Sequence, residues 1–200
     1  MIENLTRLLA FSSKNPEEDA KKIDAVCPSL EHAMHVDAFV IKEALGGKSR
    51  TADFIRLVAA VTSRRETDKF KPMKKYSRES IEEYIKGLFF GLSVECLYAL
   101  SFDEQGRFIS SDIISEGTVN SASFIPRKLL DATVRKQAKT AIVAHNHPCG
   151  SVEPSSHDMS TTHLIKSVLE SSGVELSAHY VVSGFNICEC TALLSEDSKK

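Results

Sequence analysis

Two histidines one residue apart, His145 and His147, close an apolar run in the stretch "IVAHNHPCGSVEPSSHD" (142–158), and Asp158 follows after a Pro/Gly/Ser loop. At the end of a strand, side chains two residues apart point the same way, so both imidazoles can face one point. Neutral imidazole is a good zinc ligand, and a strand end that opens into a loop can admit metal and substrate. Asp158, on a helix expected after the loop, would supply a third ligand. Two histidines, one carboxylate and a water make a four-coordinate site with one exchangeable position, the arrangement of catalytic rather than structural zinc. Zn²⁺ bound there brings the pKa of its water down to about 7 and makes hydroxide available. The same residues also have a plainer use. A His-x-His pair arises by chance, and Ser155-x-x-Asp158 is a helix-capping pattern with Ser155 at the N-cap. What favours the metal is that both histidines, the loop, the serine and the aspartate converge on one strand-to-helix junction.

The rest of the chain must build that junction. Its 200 residues, 42% of them apolar, are enough for one domain or two small ones with a buried core. No apolar run approaches the roughly 20 residues that span a bilayer. The opening "MIENLTRLLAFSSKNPEED" has neither a basic leader nor a long apolar stretch, so no secretory signal is expected. Five cysteines, at 27, 96, 149, 188 and 190, form no disulfide framework, and a bridge between Cys188 and Cys190 would be strained. A reduced, cytoplasmic protein with no membrane segment is expected.

Residues 1–66 read as helices. "NPEEDAKKIDAV" has Asn15 as N-cap and Pro16 at the first helical position. "SLEHAMHV" and "DAFVIKEAL" begin at Ser29 and Asp37, and Gly46-Gly47 ends the second of them. "SRTADFIRLVAAVTSRR" starts at a Ser49 cap and carries Phe54, Leu57, Val58 and Val61 at helical spacing. The segment "TDKFKPMKKYSR" (67–78) holds five basic residues and one acid, against ten basic and sixteen acidic in 79–200. It reads as a solvated linker, where a weak nucleic-acid contact could form. Beyond it the spacing predicts a helix over 78–92, then strands "VECLYALSF" and "RFISSDII" joined by a turn at Gly106. A helix over 126–138, an apolar strand over 140–145 covered on both faces, a helix over 156–173 and strands "ELSAHYVVS" and "NICECTAL" complete the chain. Helices alternating with strands predict an α/β sandwich behind a small all-helical piece.

On these residues the chain resembles a known family. His145-x-His147, seven residues, Ser155, two residues and Asp158 are similar to the JAMM (MPN-plus) zinc metalloprotease motif. More narrowly, "AHNHPCGSVEPSSHD" resembles the RadC (UPF0758) family, as do "SEGTVNSASFIPRKLL" and "AHYVVSG", so the likeness covers roughly 79–194. It implies a cytidine-deaminase-like (JAB1/MPN) α/β/α sandwich as a metal-dependent hydrolase domain over 79–200. A degenerate helix-hairpin-helix-like domain over 1–66 and the basic linker over 67–78 would precede it.

The resemblance also implies roles. A zinc held by His145, His147 and Asp158 would activate water, with a glutamate at the first strand of the domain as proton carrier. Glu95 stands at the matching place. An acid inside an apolar strand would be costly to keep without such a role. Glu116 competes with it but reads better as a turn residue. Ser155 would steady the oxyanion of the tetrahedral intermediate. The expected reaction is hydrolysis of a peptide or isopeptide bond. His157 and His163 are expected to be structural. His179 falls where the family often has Asp-His, and with Ala178 in the aspartate's place a carboxylate–imidazole contact would be lost. Cys149 replaces a common serine and reads as a tolerated small residue. Gly46-Gly47-Lys48 departs from the Gly-x-Gly of a DNA-binding hairpin, which weakens the alternative of a DNA-associated accessory protein. A zinc deaminase is excluded because there is no His-x-Glu and no Pro-Cys-x-x-Cys, and a zincin because there is no His-Glu-x-x-His.

Overall fold

A strand apolar on both faces needs a helical layer on each side, and "TAIVAHN" has both. In a computed structural model that describes residues 1–117, 124–148 and 150–192, this strand is buried at every position after the first. The strands in chain order are β1 (Cys96–Phe102), β2 (Phe108–Glu116), β3 (Thr140–Asn146), β4 (Glu175–Ser183) and β5 (Asn186–Glu189). They form one sheet of order β2-β1-β3-β4-β5. Only β3 and β4 are parallel within it. The helices are α1 (Ile2–Leu9), α2 (Pro16–Val26), α3 (Leu30–His35), α4 (Ala38–Ala44), α5 (Ser49–Thr67), α6 (Arg78–Phe89), α7 (Phe124–Thr133) and α8 (Ser156–Ser171).

Alternation along the strands sorts the core into two layers. Leu100, Ile142, Ala144, Tyr180 and Val182 pack under Tyr84, Ile85 and Phe89 of α6. Leu97, Ala99, Ala141 and Val143 pack under Leu129 of α7 and Ile165 and Leu169 of α8. The result is the α/β/α sandwich that the resemblance implied. Helix α8 crosses from β3 to its parallel neighbour β4, so its N-terminus lies at the C-terminal end of β3. In open α/β sheets that is where ligands bind.

The first residues form a cluster of their own, with Leu5, Leu9, Ala20, Ile23, Ile41, Leu45 and Ile55 buried. Ser29 and Asp37 cap α3 and α4 by accepting from the His32 and Phe39 amides, whereas the Asn15 side chain makes no such bond. The Ser49 side chain lies outside the described residues. Helix α5 buries Ala52, Ile55 and Ala59, half-buries Phe54 and Val58 and leaves Leu57 and Val61 exposed, so the stripe read from the spacing is not the buried face. Close approach explains the choice. A Cβ on Gly91, whose φ is 80°, would lie 2.8 Å from the Ala59 Cβ, a fit that only small residues allow. The Gly46 and Gly47 amides donate to the Glu43 and Lys42 carbonyls, ending α4, and Lys48 donates to buried Asp19 at 2.6 Å.

Several boundaries move. The basic segment is not simply solvated: Phe70 stacks on Tyr76 and Tyr84, with centroids 3.8 and 4.1 Å away, and meets Phe108 edge-on. Met73 N–H also donates to the Phe108 carbonyl at 2.7 Å. Its charged residues stay outside while its aromatics join the layer under α6. Helix α7 stops at Thr133, and a 3-10 turn (Val134–Lys136) ends at Gln137, whose φ is 58°. The last strand ends at Glu189, and residues 190–192 turn helical. Thr118 and Cys149 lie outside the described residues. Among those described, no helix is long and apolar enough to cross a membrane.

Candidate metal centre

His145 lies on the face of β3 that carries Ala141 and Val143, so it points toward α8. His147 follows one residue past the strand. The loop then folds back: a Cβ on Gly150 would sit 3.3 Å from the His147 Cβ, and Ser183 Oγ holds the Gly150 carbonyl at 2.7 Å. Glycine lets the loop lie against the ligand. Asp158 enters as the third residue of α8, where the positive end of the helix dipole favours a carboxylate.

The capping reading of Ser155 and Asp158 is observed, and it does not turn the carboxylate away from the histidines. The capping box is formed, with the Ser155 amide donating to Asp158 Oδ2 at 2.7 Å and the Asp158 amide to Ser155 Oγ at 3.2 Å. Ser155 Oγ also donates to Oδ2 at 2.6 Å. The cap therefore holds one carboxylate oxygen and leaves Oδ1 toward His145 Nε2, 3.1 Å away. His147 Nε2 lies 3.1 Å from His145 Nε2 and 3.5 Å from Asp158 Oδ2. His147 Nδ1 donates to the Ser151 carbonyl at 2.7 Å, so in the neutral ring Nε2 is a bare lone pair. Ligand atoms of all three residues lie within 4.8 Å of one another. Burial opposes the charge on Asp158, but hydrogen bonds from His145 and Ser155 outweigh it and hold the carboxyl well below the usual range. An ionised carboxylate and imidazole nitrogens packed this closely can hold a metal ion, and the donor set fits one.

Glu95 comes to the same place by a different route. It precedes β1, and alternation puts position 95 on the face of Leu97 and Ala99, the face that carries His145. It is exposed rather than buried within the strand, so desolvation is not the reason to single it out. It lines a cavity of about 260 Å³ together with Leu97, Ser115, His145, Asp158 and Leu164. Its neighbours in sequence are clamped. Asn146, between the two histidines, accepts from the Cys96 amide at 2.7 Å and donates to the Val94 carbonyl at 3.1 Å. Glu116 is the last residue of β2 rather than part of the turn, which begins at Gly117 with φ 77°. His157 lines the cavity from its exposed side, and His163 is exposed on α8.

Two partners went unnoticed in the sequence, Asn146 and Thr162, and His179 makes contacts that the sequence did not anticipate. His179 Nε2 lies 2.9 Å from His145 Nδ1, and its Nδ1 lies 2.6 Å from Thr162 Oγ1. The contact expected to be lost at position 178 was never on this side. Ala178 faces the layer under α6, so an aspartate there would point away from the histidines. The Cys190 thiol, beside Thr162, is pushed up to about 12 by burial first and then by the Asp158 charge, so it stays protonated.

Burial first, and then the charge of His145, pushes the His179 pKa from 6.5 down to about 3. The unfolded chain takes up this proton near pH 6.5, whereas the fold resists it until about pH 3. Stability is therefore present above pH 6.5 and lost as pH falls. Between pH 7 and pH 5 the loss from this group is about 2 kcal/mol. Urea denaturation of the metal-free protein at the two pH values is expected to show it, and the difference should shrink by that amount in His179→Asn.

A largely buried His/His/Asp cluster at the end of a strand, closed by a helix N-terminus, marks an α/β domain whose residues can hold a metal ion. Residues 75–193 match the model of the RadC-like JAB domain, more than half of the chain, and the chain belongs to that family. A UPF0758 protein of Finegoldia magna is 38% identical over 90 residues, which are 45% of this chain and 40% of that protein. One of Pseudoalteromonas translucida is 34% identical over 108 residues, 54% and 48% of the two chains. One of Janthinobacterium sp. is 33% identical over 111 residues, 56% and 50%. The chain spans about half the length of these relatives, or less.

Proposed function

We propose that this chain is a zinc-dependent hydrolase that cleaves peptide or isopeptide bonds. The observation that carries the proposal is the convergence of His145, His147 and Asp158 within 4.8 Å, beside a cavity that Glu95 also lines. Imidazole nitrogens with one carboxylate oxygen suit zinc better than magnesium or calcium, which prefer all-oxygen sites. Zinc bound there would polarise the scissile carbonyl and lower the pKa of a nearby water. Glu95 takes the proton of that attacking water and returns it to the departing nitrogen. Asp158 holds its position through the capping box, His147 through the Ser151 carbonyl and His145 through His179. Ser155 gives its one hydroxyl hydrogen to Asp158 Oδ2, so service to the oxyanion requires that hydrogen to turn away from the carboxylate. A lining made largely of carbon, with Leu97 and Leu164, suits an apolar group of the substrate next to the scissile bond.

The test is hydrolysis of a panel of unstructured peptides and isopeptide-linked conjugates by the zinc-loaded chain. Cleavage that stops with a chelator and returns with zinc supports the proposal; no cleavage of any member by fully loaded protein counts against it. In the same assay Asn146→Ala is expected to keep its zinc yet turn over about 10²-fold more slowly, because a ~1 Å misplacement of a reacting group produces losses of that size. Equal turnover would show that the clamp on residues 94 and 96 does not position Glu95. A weak nucleic-acid contact would use the exposed Lys71, Lys74 and Lys75 and would weaken steeply with salt.

A further inference from the structure

A chain of hydrogen bonds runs from the backbone of α8 to the ring of His145. Thr162 Oγ1 lies 2.6 Å from the Asp158 carbonyl oxygen and 2.6 Å from His179 Nδ1. His179 Nε2 lies 2.9 Å from His145 Nδ1. Thr162, His179 and His145 are 0%, 1% and 4% exposed, so water does not compete for these groups. Their directions follow from counting hydrogens. A carbonyl oxygen can only accept, and a hydroxyl has one hydrogen to give. Thr162 therefore donates to Asp158 and accepts from His179 Nδ1. A doubly protonated His179 would bury a charge against a hydroxyl and an imidazole, with no carboxylate among these partners, which is costly. The neutral ring, protonated at Nδ1, is bare at Nε2 and must accept from His145 Nδ1. His145 keeps its hydrogen on Nδ1 and turns Nε2 toward Asp158 Oδ1 and His147 Nε2, each 3.1 Å away.

We propose that Thr162 and His179 are positioning residues that fix His145 as its Nδ1–H tautomer and so present Nε2 to the metal. This rests on taking the cluster as a metal site. Metal-bound histidines commonly donate their other N–H to a carboxylate or a carbonyl, both of which are acceptors by nature. An imidazole acceptor is different, because it accepts only if its own tautomer is set. Thr162 sets it, and the Asp158 carbonyl sets Thr162. The loop closes on a single residue: Asp158 offers its carboxylate to the metal and its carbonyl to the start of the chain. No aspartate at position 178 is needed.

The test has two parts. In the metal-free wild type, nitrogen-15 shifts of the histidine side chains are expected to show His145 and His179 both protonated at Nδ1. A His145 ring bare at Nδ1 overturns the proposal, and this reading needs no variant that might misfold. In the second part, zinc affinity is measured by chelator competition for the wild type, Thr162→Val, Thr162→Ser and His179→Phe, with circular dichroism to check each fold. The valine and phenylalanine variants are expected to bind zinc about 10–100-fold more weakly, and serine to restore affinity to near that of the wild type. Unchanged affinity in Thr162→Val, with the His145 tautomer also unchanged, refutes the relay. Should the wild type itself bind no zinc, the hydrolase reading falls, while the nitrogen-15 shifts still decide on the hydrogen-bond chain.

Discussion

Glu95→Gln is expected to keep its zinc and lose about 10²–10⁴-fold in hydrolysis, the range that general acid–base groups contribute. Glutamine has nearly the shape of glutamate but cannot take a proton from water. The variant should fold normally, because the Glu95 side chain is exposed and its carbonyl still accepts from the Gly117 amide at 2.8 Å. Clamping of residues 94 and 96 by Asn146 also leaves the backbone path unchanged. Parallel measurement of metal content and turnover separates the two effects. Full activity with zinc bound would remove Glu95 from the mechanism, and Glu116, at the end of the neighbouring strand, would be the next carboxylate to replace.

His147→Ala is expected to abolish both hydrolysis and the stabilisation that zinc confers. A ligand that binds only the folded state adds about 2.7 kcal/mol at one hundred times its Kd, which in a chain of this size raises Tm by about 5–10 °C. The wild type should show that shift on adding zinc, and the variant little or none. His147 is the better ligand to remove, because its side chain is 21% exposed against 5% for His145, so truncation leaves less of a cavity. The metal-free variant should therefore unfold close to the metal-free wild type. An undiminished zinc shift in the variant would mean that the ion sits elsewhere.

What the sequence reveals about the site is what lies close together along the chain. The apolar run of β3, the two histidines, the glycine in the loop and the Ser155–Asp158 cap all fall between residues 140 and 158, so spacing alone predicts a junction of strand, loop and helix. The groups that orient them are remote or ordinary in type. Thr162 is an unremarked polar residue one helical turn beyond Asp158, and it matters because α8 packs onto the middle of β4, where His179 stands. Asn146 lies inside the motif, yet its partners at residues 94 and 96 come together only when β1 pairs with β3. Composition also misleads where charge and aromatics are mixed. The lysines of residues 67–78 suggest a free linker, but Phe70 and Tyr76 bury enough ring surface to hold the segment on the sandwich. In α5 the apolar Leu57 and Val61 face outward, because Ala52 and Ala59 permit the closest approach beside Ile55 on the inner face.

The most direct measurement is the metal content of the purified protein by plasma mass spectrometry, wild type beside Asp158→Ala. About one zinc per chain is expected in the wild type, as for a site of three protein ligands and a water, with essentially none in the variant. A wild type that takes up no zinc even after reconstitution, or a variant that keeps its full complement, would contradict a zinc centre held by His145, His147 and Asp158.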